Sequence, residues 1–215
     1  MEAQETGLLT EKDLDGLNLK WGAEEAVLDT VHRIAHRKGI GNILAEGSLG
    51  VIKQWPQLRP IISQVKGLEQ SAYDARIAIS MALGYATSDI GAHHARAWTI
   101  AKELEMGMDW PLEKKADLVI YHQTLRPLFD MLGVCRLPWI ELGFDEHRYA
   151  EFYSAVTGVE TSLDELLQRS MDLYDLTRAI NMKFGISRKD DYPPERVFNL
   201  AMTEGPHAGK ILKRE

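Results

Sequence analysis

Residues 112–135 read LEKKADLVIYHQTLRPLFDMLGVC, a long segment that ends at a glycine and the only cysteine of the chain. Its apolar spacing predicts a helix from about Leu112 to Leu132. Gly133 suits a helix stop, because glycine adopts the left-handed conformation at a helix C-terminus without strain. We therefore expect Cys135 on a loop, within an irregular segment at 134–143.

Helical periodicity also dominates the rest of the chain. Apolar residues that follow Gly22 share one face of a predicted helix, and charged residues occupy the opposite face: Val27, Val31, Ile34 and Ala35 form the apolar face. Further helices are predicted at 76–86, 145–157, 162–185 and 193–202. No segment alternates between apolar and polar residues with turn signals at both ends, so strands are at most minor. The sequence predicts an all-α fold.

The composition excludes several classes of protein. The chain has 215 residues and a formal net charge of −7, with Lys and Arg scattered among acidic residues. A nucleic-acid-binding surface would gather basic residues on one face. There is no cysteine pair, no signal-peptide pattern, and no apolar run near the roughly 20 residues of a membrane span. We expect a soluble cytoplasmic protein that binds neither nucleic acid nor membrane.

One proline-containing stretch indicates a possible boundary between two domains. The stretch 55–61 contains Pro56 and Pro60, which break helical structure. We divide the chain there into residues 1–55 and 56–215. The alternative is one continuous unit.

Cys135 has two interpretations. A lone cysteine in an apolar setting is ordinarily a small packed side chain. It could instead be a ligand of an iron–sulfur cluster, but such clusters normally take four thiolates. In that case the other three would come from protein outside this chain.

The histidines offer weaker candidates for chemistry. His32 and His36 have a metal-ligand spacing, but Arg33 stands where the zinc-protease pattern requires Glu, so we interpret both as solvated. His93 and His94 are adjacent, and neighbours on a helix point about 100° apart, so they do not chelate one ion together. One of them could carry a proton near neutral pH; the alternative is a structural role.

Short motifs spread over nearly the whole chain give a more specific indication. They include Gly91-Ala92-His93-His94-Ala95-Arg96 and the D-x-x-G-x-C pattern of 130–135. The others lie at 14–17, 21–22, 37–41, 44–47, 66–69, 73–76, 84–88, 156–158, 185–191 and 194–196. In this order and spacing, the chain resembles the C-terminal helical domains of the tungsten-containing aldehyde ferredoxin oxidoreductases.

This resemblance implies a fold, an activity and a set of site residues. The family oxidises aldehydes to carboxylic acids at a tungsten bis-pyranopterin centre, and a 4Fe-4S cluster passes the electrons to ferredoxin. The D-x-x-G-x-C pattern assigns Asp130 to the amine-bearing edge of the pterin, Gly133 to close backbone approach, and Cys135 to the fourth cluster position. His94 matches a histidine beside the substrate pocket. Arg96 belongs to the same motif and is assigned to cofactor binding.

The departures from the family pattern define what else is needed. The β-rich N-terminal pterin-binding domain, the C-x-x-C-x-x-x-C motif and an earlier D-x-x-G-x-D motif are absent. Residues 1–55 then correspond to a segment of the middle domain and 56–215 to the C-terminal domain. We expect the isolated chain to bind no cofactor stably and to be inactive. The implied partners are the missing N-terminal domain, ferredoxin and a small aldehyde, with homo-oligomerisation through exposed apolar surface near 77–96 as a further possibility.

Two alternatives stay open at this stage. The first is a related tungsten or molybdenum (molybdopterin) enzyme with another substrate, such as an aromatic acyl-CoA reductase subunit. The second is an autonomous helical scaffold or interaction module without redox activity, in which Cys135 is merely packed.

Overall fold

The computed structural model describes residues 1–107 and 109–214, with the backbone alone for residues 140–142. Within these residues the fold is helical, and the only sheet is a two-stranded antiparallel hairpin, so the prediction of an all-α fold is confirmed. Residues 108 and 215, which belong to the second predicted domain, lie outside the described residues.

The α-helices are α1 (Glu2–Glu5), α2 (Glu24–Ala35), α3 (Ile40–Leu44), α4 (Gly47–Gln54), α5 (Ile79–Thr87), α6 (Ile100–Met106), α7 (Leu112–Leu132), α8 (Leu137–Leu142), α9 (His147–Thr157), α10 (Leu163–Lys183) and α11 (Arg196–Asn199). Short 3₁₀ turns lie at Pro56–Leu58, His94–Arg96 and Arg188–Asp190, and the strands are β1 (Gln64–Val65) and β2 (Leu68–Glu69).

Helix α7 has the bounds that its sequence predicts. It ends at Gly133, whose φ of 66° lies in the left-handed region. The N–H of Gly133 donates to the Asp130 carbonyl and the N–H of Val134 donates to the Phe129 carbonyl, which satisfies the last carbonyls of the helix. This termination brings the chain out of the helix directly before Cys135.

The long helices α7 and α10 pack together around an apolar core. Leu125, Leu128 and Phe129 of α7 are almost fully buried, and Leu166 of α10 joins them. The hydroxyl of Ser170 also donates to the Thr124 carbonyl across the interface. Burial of these side chains fixes the position of the C-terminal half of α7.

A separate apolar cluster lies in the N-terminal part of the chain. Leu9, Leu14, Leu17, Ile40 and Leu58 belong to it, and its partly buried neighbours extend to Ile62. Nη1 of Arg196 connects this part to the C-terminal segment, because it donates to the Ile61 carbonyl at 2.7 Å and contacts the Glu2 carboxylate at 3.1 Å. The division at residue 55 stays a prediction.

The orientation of α2 differs from its sequence prediction. Most of its apolar stripe faces outward, with Val27 and Val31 respectively 39% and 56% exposed, whereas Ile34 is half-buried. Arg33 is half-buried: its Nη2 lies 3.0 Å from Oδ2 of Asp29, and its Nη1 donates a hydrogen bond to the Asp15 carbonyl. Periodicity identified the helix, but it did not indicate which side meets the rest of the molecule.

Two other predictions need correction. The segment 134–143 is not wholly irregular, because Pro138 occupies the first turn of α8, a position that proline suits. The apolar side chains of 77–96 are mostly buried, including Met81 and Tyr85, whereas Leu83 and Ile90 are exposed, so the exposed apolar surface is smaller than expected. Homo-oligomerisation itself stays a prediction. The helices predicted at 76–86 and 193–202 are shorter, at Ile79–Thr87 and Arg196–Asn199.

Candidate functional site

The C-terminal end of α7 presents two of the predicted site residues at the surface. The side chain of Asp130 is 63% exposed and Cys135 carries an exposed thiol. Between them, Gly133 needs its glycine for the left-handed backbone, and a Cβ at this position would meet no atom within 4 Å. The open space beside Gly133 is compatible with the close backbone approach that the sequence predicts.

Arg96 ties the 94–96 turn to the end of α7. Its Nε donates to the Asp89 carboxylate at 2.9 Å, and its Nη1 donates to the carboxylate of Asp130. Burial by itself lowers the pKa of Arg96, but the hydrogen bonds and charges of Asp130 and Asp89 raise that pKa overall. A permanently charged guanidinium therefore holds the Asp130 carboxylate at the surface. We call Arg96, Asp130, Gly133, Cys135 and His94 the helix-end site.

His94 lies in the same turn, and its lowered pKa favours the neutral imidazole at pH 7. Burial lowers its pKa, and the nearby charges of His93, Arg136 and Arg126 lower it further. Its Nδ1 lies 2.9 Å from the Ser71 hydroxyl, and no hydrogen bond from a described residue reaches Nε2. A neutral imidazole fixed at one nitrogen keeps the other nitrogen available for a ligand.

His93 has a structural role, which separates the two adjacent histidines. Its ring stacks on His94 with centroids 5.3 Å apart. Its Nδ1 accepts a hydrogen bond from the N–H of Ala95 at 3.1 Å, which caps the short turn. The geometry thus favours His94 for chemistry, as the resemblance implies, whereas His32 and His36, at the C-terminal end of α2, are exposed.

Sequence reasoning missed a buried pair on the inner side of α7. The Nε of Arg126 donates to Nδ1 of His122 at 2.9 Å, and its Nη1 donates to the Ala95 carbonyl at 2.8 Å. Burial and then the charge of Arg126 lower the pKa of His122 to about 3. The spacing of four residues on one helix was the available signal, because such residues share a face.

An apolar cavity of about 520 Å³ lies next to the thiol of Cys135. Aromatic side chains from the α8–α9 region form much of its wall, including Phe144, Tyr149 and Phe152. Cys135 therefore lies on the wall of an apolar cavity and is not fully packed.

The described residues fit part of a cofactor site. Among them, no three His, Cys, Asp or Glu side chains gather in an arrangement that could hold a metal ion. One exposed thiol can provide a single cluster ligand, and an exposed carboxylate with a fixed neighbour can accept N–H groups from a planar heterocycle. The chemistry of these donors is compatible with one part of a tungstopterin and iron–sulfur site.

The structure is an α-helical protein in which ionisable groups and one thiol lie at the end of a long helix. Comparison with known proteins shows to which family it belongs. The family model described as aldehyde ferredoxin oxidoreductase, domains 2 and 3, matches residues 1–215. The chain therefore belongs to the aldehyde ferredoxin oxidoreductase family.

Individual relatives agree with this membership. A tungsten-containing aldehyde ferredoxin oxidoreductase of Pyrococcus horikoshii is 31% identical over 99% of the chain and 36% of the relative. The corresponding protein of Thermococcus kodakarensis is 32% identical, again over 99% of the chain and 36% of the relative. The WOR-like subunit of an aliphatic sulfonate oxidoreductase from Pyrococcus furiosus is 26% identical over 100% of the chain and 33% of the relative. The chain thus spans about a third of the length of these proteins.

A solved structure shares the fold. The active-site complex BamBC of benzoyl coenzyme A reductase, bound to 1,5-dienoyl-CoA, superposes with a TM-score of 0.65 and 19% identity. The match covers 91% of this chain and 36% of that chain. At this identity the likeness concerns the fold alone. None of the helices described here has the length and apolar character that a membrane span requires.

Proposed function

We propose that this chain is the C-terminal part of an aldehyde:ferredoxin oxidoreductase, which oxidises aldehydes to carboxylic acids. The observation that carries this proposal is the helix-end site: α7 ends so that Asp130 and Cys135 both face outward, while Arg96 holds the carboxylate in place. When bound, a tungsten bis-pyranopterin supplies the two-electron chemistry and a 4Fe-4S cluster passes electrons to ferredoxin.

Each residue at the end of α7 has a role that its chemistry supports. The carboxylate of Asp130 accepts hydrogen bonds from the N–H and NH₂ groups of the pterin, and these bonds are strengthened by its charge. Arg96 orients that carboxylate and binds at the cofactor edge. Gly133 leaves space for the flat cofactor, and Cys135 provides one thiolate to the cluster.

His94 is the residue that we assign to the substrate. Because its lowered pKa favours the neutral imidazole at pH 7, His94 can donate one hydrogen bond to an aldehyde oxygen or take up one proton. Its Nδ1 contact with Ser71 fixes the ring orientation. We therefore assign to His94 the positioning of the reacting carbonyl.

The isolated chain holds only a part of this site. The partners that complete it are the N-terminal pterin-binding domain of the family, which brings the remaining cluster ligands, and ferredoxin as electron acceptor. We accordingly propose that the isolated chain binds no tungstopterin stably and shows no oxidase activity, and that the assembled protein works in the cytoplasm.

The test uses the assembled protein, in which this chain is joined to the N-terminal family domain and produced with tungstate. Aldehydes, aliphatic sulfonates and aromatic acyl-CoA thioesters are offered with a viologen dye as electron acceptor or donor. Turnover of aldehydes supports the proposal. Turnover of another class alone identifies a related tungsten or molybdenum enzyme, and a protein without metal or turnover under these conditions identifies a helical interaction module.

A further inference from the structure

Arg126 is a buried cation that the proposed function does not use. Only 2% of its surface is exposed. Nε and Nη1 donate to Nδ1 of His122 and to the Ala95 carbonyl, and the guanidinium carbon lies 5.6 Å from the centre of the Trp139 ring. The remaining nitrogen, Nη2, is buried and has no hydrogen-bond partner among the described residues.

No described carboxylate neutralises this cation. Asp130, on the same helix, and Asp89, which precedes the 94–96 turn, both accept hydrogen bonds from Arg96 instead. Burial of a charge without an opposite charge is costly. Lys115, on the same helix and equally buried, shows the usual solution, because its ammonium lies 2.9 Å from the Glu103 carboxylate.

A second arginine faces the same region. Arg136 follows Cys135, is half-buried, and its Nε is likewise buried without a partner in the described structure. Burial and then the charge of Arg136 lower the pKa of Arg126 to about 9, so the Arg126 guanidinium remains charged at neutral pH. Arg136 also contributes, after burial, to the lowered pKa of His93.

From this geometry we infer that Arg126 and Arg136 form an oxyanion site beside His94, which binds the carboxylate of a small organic acid. The planar forks of two guanidinium groups match the oxygens of a carboxylate. The hydrogen bond from Arg126 to Ala95 places the site one residue from His94.

This inference deepens the proposed function and rests on it in one respect: the carboxylate is the acid that aldehyde oxidation produces. The site would retain the product, or select substrates that carry a second carboxylate. Trp139, which covers the Arg126 guanidinium, reduces the water around the ion pair and so strengthens it.

The experiment measures binding to the full chain without cofactor. Thermal unfolding is followed at pH 7 with acetate, benzoate or inorganic phosphate, each compared with sodium chloride at equal ionic strength. We expect acetate and benzoate to raise the midpoint in a saturable way, by about 3–6 °C at ten times their Kd. Arg136→Gln, which lies at the edge of the site, should abolish the rise. Arg148→Gln is the matched control, because Arg148 lies in an exposed pair with Glu151 on α9.

Three results would overturn the inference: an equal rise with chloride, an unchanged rise in Arg136→Gln, or a rise with phosphate alone, which would indicate a phosphate-bearing ligand instead. Because no cofactor takes part, the outcome is independent of the proposed activity. If the chain binds carboxylates but the assembled protein holds no cofactor, the carboxylate site stands and the proposed function fails. If the assembled protein oxidises aldehydes but the chain binds no carboxylate, the proposed function stands and the carboxylate site fails.

Discussion

The two ends of α7 carry the same kind of ion pair in opposite environments. Near the start, Lys115 lies 2.9 Å from Glu103, and their side chains are 2% and 0% exposed. Near the end, Arg96 pairs with Asp130, whose side chain is 63% exposed. A pair of opposite charges thus stabilises the packing at the start of α7, whereas at its end such a pair presents a carboxylate to solvent.

The buried end is integrated into three helices. Oε1 of Glu103 on α6 also accepts a hydrogen bond from the N–H of Ser80 on α5, at 3.1 Å. The Ser80 hydroxyl in turn donates to Thr99 at 2.8 Å. Removal of either charge of the Lys115–Glu103 pair therefore leaves the other buried without a counter-ion. At the exposed end, water can hydrate the Asp130 carboxylate.

The largest expected difference concerns the buried pair. Lys115→Met should lower the free energy of unfolding by about 3–5 kcal/mol, because it leaves the Glu103 carboxylate buried without an opposite charge. Urea denaturation measures this change. Lys114→Met is the matched control: Lys114 belongs to an exposed pair with Asp117, and the cost should stay below about 1 kcal/mol. Equal costs for the two variants would contradict the comparison.

The second prediction concerns pH and the inner face of α7. The pKa of His122 is about 3 in the folded chain, compared with 6.5 for an ordinary histidine. The unfolded chain thus binds a proton that the folded chain excludes, so this contribution to stability is complete above pH 6.5 and declines as the pH falls towards 3. At pH 5 the loss should be about 2 kcal/mol.

His122→Gln tests this prediction, because glutamine can still accept a hydrogen bond from Arg126 but does not titrate. Urea denaturation at a series of pH values should give a flatter stability profile between pH 6.5 and 4 for the variant. A profile with the slope of the unmodified chain would show that another group controls acid stability.

A smaller effect is expected at the exposed end. Asp130→Asn should change the free energy of unfolding by less than about 1 kcal/mol, because exposed ion pairs contribute little and Arg96 keeps its contact with Asp89. Chemical denaturation of the isolated chain provides the value. A loss as large as that of Lys115→Met would mean that Asp130 stabilises the fold, which would weaken its assignment to a ligand.

The smallest effect is expected for the thiol. Cys135→Ser should change the free energy of unfolding by less than about 0.5 kcal/mol, since Cys135 is exposed and lies beyond the end of α7. Reaction of the isolated chain with a thiol reagent should be complete without denaturant and should leave the circular dichroism of the helices unchanged. A thiol that reacts only after unfolding would support the packed interpretation instead.

Local sequence signals predicted the parts of the fold that local chemistry determines. The bounds of α7 follow from periodicity and from Gly133, and Ser162 with Glu165 forms the capping box that starts α10. The outward stripe of α2 could not be predicted, because exposure depends on where neighbouring segments pack. The start of α8 was missed because the whole segment 134–143 was expected to be irregular, although Pro138 suits the first turn of a helix.

The sequence likewise predicted only part of the candidate site. Asp130, Gly133 and Cys135 are close in sequence, so their proximity follows once α7 ends at Gly133. The contact between Arg96 and Asp130 joins residues 34 positions apart and required the tertiary structure. The unpaired donors of Arg126 and Arg136 also had no sequence signal, because the burial of a side-chain atom without a partner depends on the tertiary structure.

The most direct test of the central claim is the tungsten and iron content of the assembled protein, measured for Asp130→Asn, Cys135→Ser and the control Arg148→Gln. The account predicts that Asp130→Asn loses tungsten, that Cys135→Ser loses iron and its visible absorption, and that Arg148→Gln retains both metals. Unchanged metal content in Asp130→Asn and Cys135→Ser would contradict the assignment of the end of α7 to the cofactor site.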